Sequence, residues 1–197
     1  MNQQGPGKIE WTDWTWSPVT GCTYGCSYCY ARRIAHRFGD DFTPTFHLER
    51  LDEPAKLKKP SKIFVCSMGE LFSPEAWEHE WIRFVMDACR AAPQHTYQFL
   101  TKQPKYLPSY DWPAKAWVGI SWDGLAPPDT WVNTITRLTW VDVRVRFVSL
   151  EPLLQRFSRF LPNWLSFVII GAQTGPGAVK PKAEWVQEII DQCDTQG

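Results

Sequence analysis

Residues 63–70 read Ile63-Phe64-Val65-Cys66-Ser67-Met68-Gly69-Glu70, an unbroken apolar run that gives way to a polar turn carrying a glycine. A run without polar alternation is what a parallel strand covered on both faces presents. A helix signature follows it. Ser73 suits an N-cap, Pro74 suits the first turn, and Trp81, Phe84, Val85, Ala88 and Cys89 recur at helical spacing as far as Ala91. Residues 63–91 therefore read as one strand-helix unit.

The same unit recurs along the chain. Apolar runs at Trp14–Val19, Tyr97–Thr101, Trp117–Ser121, Val145–Leu150 and Phe167–Gly171 join Ile63–Ser67 as expected strands, most of them followed by a helical pattern. Their alternation with helices predicts an α/β fold, a partial (β/α)6 TIM-like barrel of parallel strands with outer helices. A doubly wound sheet is the alternative. A chain of 197 residues with 44% hydrophobic and 21% charged residues is read as a single domain over 1–197 and is neither disordered nor fibrous. Lys+Arg and Asp+Glu both number 21, so no overall basic excess advertises nucleic-acid binding. No stretch approaches the roughly 20 apolar residues of a membrane helix, and the start, MNQQGPGKIEW, lacks the pattern of a signal peptide. The expected location is the cytoplasm, with no membrane partner.

Thiols in that compartment stay reduced, so the six cysteines are metal ligands, catalytic groups or packing residues before they are disulfides. Cys66 falls in a strand, and Cys89 and Cys193 fall on apolar helix faces, which reads as packing. Cys22, Cys26 and Cys29 differ: Gly21-Cys22-Thr23-Tyr24-Gly25-Cys26-Ser27-Tyr28-Cys29-Tyr30 is a C-x3-C-x2-C segment just past the first strand. Barrels of this kind collect ligands at the carboxyl ends of their strands. Three thiolates in a glycine-bearing loop can turn onto one iron–sulfur cluster. Zinc with His36 as a fourth ligand, a disulfide, and chance spacing are the competing readings. On a four-iron cluster, three cysteines leave one iron open to a substrate or cosubstrate.

The spacing, with aromatic Tyr28 before the third cysteine, resembles that of the radical S-adenosylmethionine superfamily. The resemblance implies a [4Fe-4S] cluster on Cys22, Cys26 and Cys29, with S-adenosylmethionine chelating the open iron. It further implies an external electron donor and reductive cleavage to a 5′-deoxyadenosyl radical. Met68-Gly69-Glu70 resembles the superfamily's glycine-glycine-glutamate motif, with Met68 replacing the first glycine. Gly69 and Glu70 are thereby implied to hold the methionyl ammonium; the plainer reading is that Glu70 only precedes the helix at Ser73. Ser121 and Asp123, after the fourth run, are candidates for a ribose hydroxyl. Gly171 and Gln173, within Gly171–Gly177, are candidates for the adenine or the cosubstrate carboxylate.

Longer segments resemble a phage and bacterial family of radical-S-adenosylmethionine-like proteins with no settled substrate. They are Ile9-Glu10-Trp11-Thr12-Asp13 through Trp14-Thr15-Trp16-Ser17-Pro18-Val19-Thr20-Gly21-Cys22, Leu100-Thr101-Lys102-Gln103-Pro104, Val148-Ser149-Leu150-Glu151-Pro152-Leu153-Leu154 and Ile169–Ala178. Its members usually continue past the last helix into a short strand and a basic-aromatic tail. This sequence stops at Gly197, so truncation before a last strand is expected. The resemblance places the protein in a bacterial or phage-infected cell.

Lys102 and Glu151, each just past a buried-looking run, are the candidate catalytic residues. Lys102 can pair with an anion, and Glu151 can accept hydrogen bonds from substrate or assist a proton transfer; alternatively the two pair with each other. A nucleic-acid or nucleotide substrate is one reading of Arg32, Arg33 and Arg37 beside the cysteines, and a solvated helix face is the other. The competing function is a non-catalytic phage-type metal-binding or nucleic-acid-binding module, holding zinc or a structural cluster.

Overall fold

The computed structural model describes residues 1–78, 80–125 and 128–195, so Gly197 and the expected truncation lie outside the described residues. A short strand β1 (Asn2–Gln3) lies antiparallel on the outer edge of β2 (Trp14–Trp16). The expected first strand, Trp14–Val19, is split at Ser17-Pro18. Proline donates no N–H to a ladder, and beyond it β3 (Val19–Thr20) pairs instead with β4 (Thr45–Phe46) in a separate antiparallel ribbon. The main sheet continues with β5 (Lys62–Val65), β6 (Thr96–Thr101), β7 (Ala116–Ser121), β8 (Val145–Leu150) and β9 (Phe167–Ile170). From β2 onward these strands are parallel and stand side by side in chain order.

That order selects between the two architectures expected. A doubly wound sheet reverses strand order at a switch point; here it never reverses. Right-handed crossovers in one direction put every helix on one face and curl the sheet into a partial barrel. Among the described residues β9 does not pair with β1 or β2, so the barrel stays open along one seam.

The helices are α1 (Tyr30–Arg37), α2 (Glu53–Lys56), α3 (Pro74–Glu78), α4 (Trp81–Ala91), α5 (Pro128–Thr139) and α6 (Ala183–Asp194). The continuous helix expected from Pro74 to Ala91 is two helices, separated at Glu80, whose backbone is left-handed with φ 56°. Alternate strand residues Val65, Tyr97, Phe99, Val118, Ile120, Val148 and Leu150 are buried with Val85, Met86 and Cys89 of α4 in one core. Cys66 and Cys89 are buried as expected, but Cys193 is exposed near the end of α6 and does not pack.

The opposite strand residues face the concavity, and its floor is aromatic. Trp11 lies 4.7 Å from the Phe64 ring and 6.1 Å from that of Phe147, which stacks on Phe167 at 4.8 Å. Gly119 is required here, because a Cβ would stand 2.5 Å from the Phe147 ring. Beyond this floor the carboxyl ends of the strands, the mouth of the barrel, carry Thr101, Ser121 and Glu151. Among the described residues no helix is long and apolar enough to cross a membrane.

Candidate cofactor site at the strand ends

The cysteine segment is fastened to the end of β5 by its first glycine. The Gly21 N–H donates to the Met68 carbonyl at 2.9 Å, and the Glu70 N–H donates back to the Gly21 carbonyl at 3.2 Å. The two backbones come too close for side chains. A Cβ on Gly69 would lie 2.9 Å from the Gly21 oxygen, and one on Gly21, where φ is 82°, would lie 2.2 Å from the Thr43 oxygen. Gly69 thus serves the docking of the loop. Met68, the departure from the glycine-glycine-glutamate pattern, packs with Ala31, Ala35 and Phe42 beneath α1.

Cys22, Cys26 and Cys29 are free thiols, all half-buried. Cys29 caps α1, its Sγ accepting the Arg32 N–H at 3.4 Å, and the Cys22 Sγ accepts the Tyr24 N–H at 3.3 Å. Burial pushes the Cys22 thiol up to about 11, with the negative charge of Glu70, Cys26 and Cys29 adding to the effect against the Tyr24 hydrogen bond. Among the described residues no trio of His, Cys, Asp or Glu side chains is arranged to hold a single metal ion. His36 is exposed in the last turn of α1.

Two of the three arginines are turned inward. Arg32 donates to the Cys22 carbonyl at 3.4 Å and lies 5.7 Å from the Phe42 ring. Arg33 donates to the Tyr28 carbonyl at 3.4 Å and, across the open seam, to the Thr174 carbonyl at 2.6 Å. Gly175, at φ 96°, makes room for that guanidinium: a Cβ there would lie 2.8 Å from Nη2. Arg32 and Arg33 therefore bind carbonyl oxygens of their own chain, and Arg37 is exposed.

Glu70 is brought to the site but arrives with its acceptors occupied. It takes the Thr101 hydroxyl at 2.7 Å, the Lys102 N–H at 3.1 Å and the Phe72 N–H at 3.0 Å. Burial raises its carboxyl above the usual range, and these hydrogen bonds offset only part of the rise. The carboxylate implied for the methionyl ammonium is thus a fastening between the β5 and β6 ends, and its Phe72 bond places it just before the Ser73 cap.

Lys102 pairs with Asp123 at 3.1 Å, not with Glu151. Tyr28 donates to the same Asp123 oxygen, and the Leu125 N–H reaches the other at 2.9 Å. Burial works to raise the Asp123 carboxyl, but Tyr28 and Lys102 outweigh it and hold it below the usual range. The Tyr28 hydroxyl is pushed far up by burial and by Asp123. Cysteine loop, β6 end and β7 end thus meet in one Tyr28, Lys102 and Asp123 cluster.

The remaining candidates divide. Ser121 Oγ donates to the Glu151 carbonyl at 3.5 Å. Gln173 Oε1 accepts the Val179 N–H at 3.1 Å and so braces its own loop. The Gly171 backbone is engaged by Leu150 and Leu153 at 3.2 and 2.8 Å. Sequence reasoning missed Thr101 and Tyr30, whose hydroxyl donates to the Ser67 carbonyl; each adjoins a residue already singled out, which was the available signal. Arg33, which the sequence offers to a phosphate, closes the seam instead.

The family described as "Protein of unknown function (DUF5131)" matches residues 6–197 of the chain. No curated protein matches it. Two solved structures of spore photoproduct lyase mutants, one Cys-to-Ala and one Tyr-to-Phe, share the fold. The first has TM-score 0.59 and 12% identity over 90% of this chain and 71% of its own. The second has TM-score 0.59 and 11% identity over the same shares.

Proposed function

Taking as premise that the chain belongs to the DUF5131 family, we propose that it is a radical S-adenosylmethionine enzyme. Cys22, Cys26 and Cys29 hold a [4Fe-4S] cluster, with S-adenosylmethionine as cosubstrate and an external electron donor. The observation that carries this reading is three free, half-buried thiols in one glycine-braced loop at the carboxyl ends of parallel strands. The donor set fits the group. A four-iron cluster takes each thiolate on a different iron, and three free thiols within one short loop are the donor set it needs. The fold likeness to spore photoproduct lyase supports the barrel, and the cysteines support the chemistry.

When bound, the cluster supplies the electron that cleaves the sulfonium and starts a radical reaction. The chain's residues do the rest. The Gly21 and Gly69 contact holds the loop against β5, and Glu70 ties that edge to β6. Asp123 keeps Tyr28 and Lys102 at the mouth, and its remaining lone pair and the Ser121 hydroxyl are the groups this reading gives to a ribose.

The test is anaerobic reconstitution with iron and sulfide, then dithionite and S-adenosylmethionine, comparing the wild type with Cys26→Ala. The expected result is cluster absorption and 5′-deoxyadenosine from the wild type alone. Uptake of zinc only, or a cluster in both proteins, would overturn the reading.

A further inference from the structure

Three acids stand at the strand ends of the mouth, and they differ in how they are occupied. Glu70 accepts three hydrogen bonds and Asp123 accepts three. The Glu151 carboxylate accepts none and has no cation beside it among the described residues. Glu151 is an exposed residue, but its carboxyl is seated against the fold. It follows β8 on the concave face, two residues beyond Ser149, which is paired with Ser121 on one side and Ile169 on the other. Its neighbour Gly171, after β9, leaves the space the carboxyl occupies: a Cβ there would stand 2.6 Å from Glu151 Cδ. The backbone beneath it is pinned, since Leu153 and Leu150 both bond Gly171.

Two further observations point to a ligand. The Ser149 hydroxyl, on the same face one row below, is 1% exposed and has no hydrogen-bond partner, which is uncommon for a buried polar group. The cation nearest in kind, Lys102, is already paired with Asp123. The mouth thus holds one uncompensated negative charge, seated over a glycine and two residues beyond an unpaired hydroxyl. A carboxylate with no cation beside it suits a positively charged group.

We propose that Glu151 is the seat of a ligand's positive charge, either an ammonium or guanidinium of the substrate or the sulfonium of S-adenosylmethionine. The idea rests on the enzyme reading above only for the second source. The test compares the wild type with Glu151→Gln and Gly171→Ala. The latter keeps the charge and displaces it. S-adenosylmethionine, S-adenosylhomocysteine and n-butylammonium are the probes, with binding read by calorimetry and, for the amine, by NMR titration; thermal melts show that each variant folds.

If the sulfonium is the partner, both variants weaken S-adenosylmethionine by roughly tenfold or more and leave S-adenosylhomocysteine unchanged. If a substrate nitrogen is the partner, both variants abolish n-butylammonium binding and leave the two nucleosides unchanged. Equal weakening of both nucleosides, or no change with any probe in folded variants, overturns the proposal. A wild type that binds neither nucleoside defeats the enzyme reading alone, and n-butylammonium then decides this one.

Discussion

A half-buried carboxylate with three donors aimed at it, as Glu70 is, contributes through those bonds and loses through its charge. Glu70→Ala strands the Thr101 hydroxyl and two backbone N–H groups, and we expect a loss of about 3 kcal/mol in urea unfolding. The pH dependence has a definite sign. Burial lifts the Glu70 carboxyl above its unfolded value, so the folded state holds the proton more tightly. Its contribution to stability is then greatest below the ordinary glutamate range and declines as pH rises through the interval above it. Asp123, held low, acts in a separate and more acidic window. Urea midpoints from about pH 4 to about pH 7 should show the wild type losing ground to Glu70→Gln as pH rises. A flat difference would refute this. The motif around Glu70 was legible in the sequence, but its occupancy was not, because Thr101 lies 31 positions away.

At the scale of elements, strands read more readily than the joints between them. All six expected runs supplied strands, the first split at Ser17-Pro18, because unbroken apolar stretches have few other places to go in a covered sheet. The break between α3 and α4 was hidden because the apolar spacing of Trp81, Ile82, Val85 and Cys89 is helical in its own right and conceals one left-handed residue. The cysteine loop depends on a joint of this type. Gly21→Ala sets a Cβ against Thr43 in a left-handed backbone, and we expect a loss of about 3 kcal/mol together with failure to assemble a cluster. Arg33→Ala removes the bond to Thr174 without touching the sheet ladders. Hydrogen exchange should quicken over 171–178 and remain slow in β6 and β7. Unaltered exchange over 171–178 would show that Arg33 does not hold that loop.

Across the whole molecule the expected architecture holds: parallel strands in chain order, helices on one side, ligand candidates at one end. What could not be read was how an unclosed barrel is filled. Trp11, in the connection between β1 and β2, takes that place by filling the floor between Phe64 and Phe147. Trp11→Ala should cost about 3 kcal/mol in chemical denaturation, and a large cost from a residue outside every strand would mark the floor as part of the core. The Arg33 contact with Thr174 joins positions 141 apart. A ribosome delivers the cysteine loop and its β5 docking edge long before the clasp at Thr174. In the nascent chain the loop is therefore held on its β5 side alone, and its seam side is secured only once residue 174 has emerged.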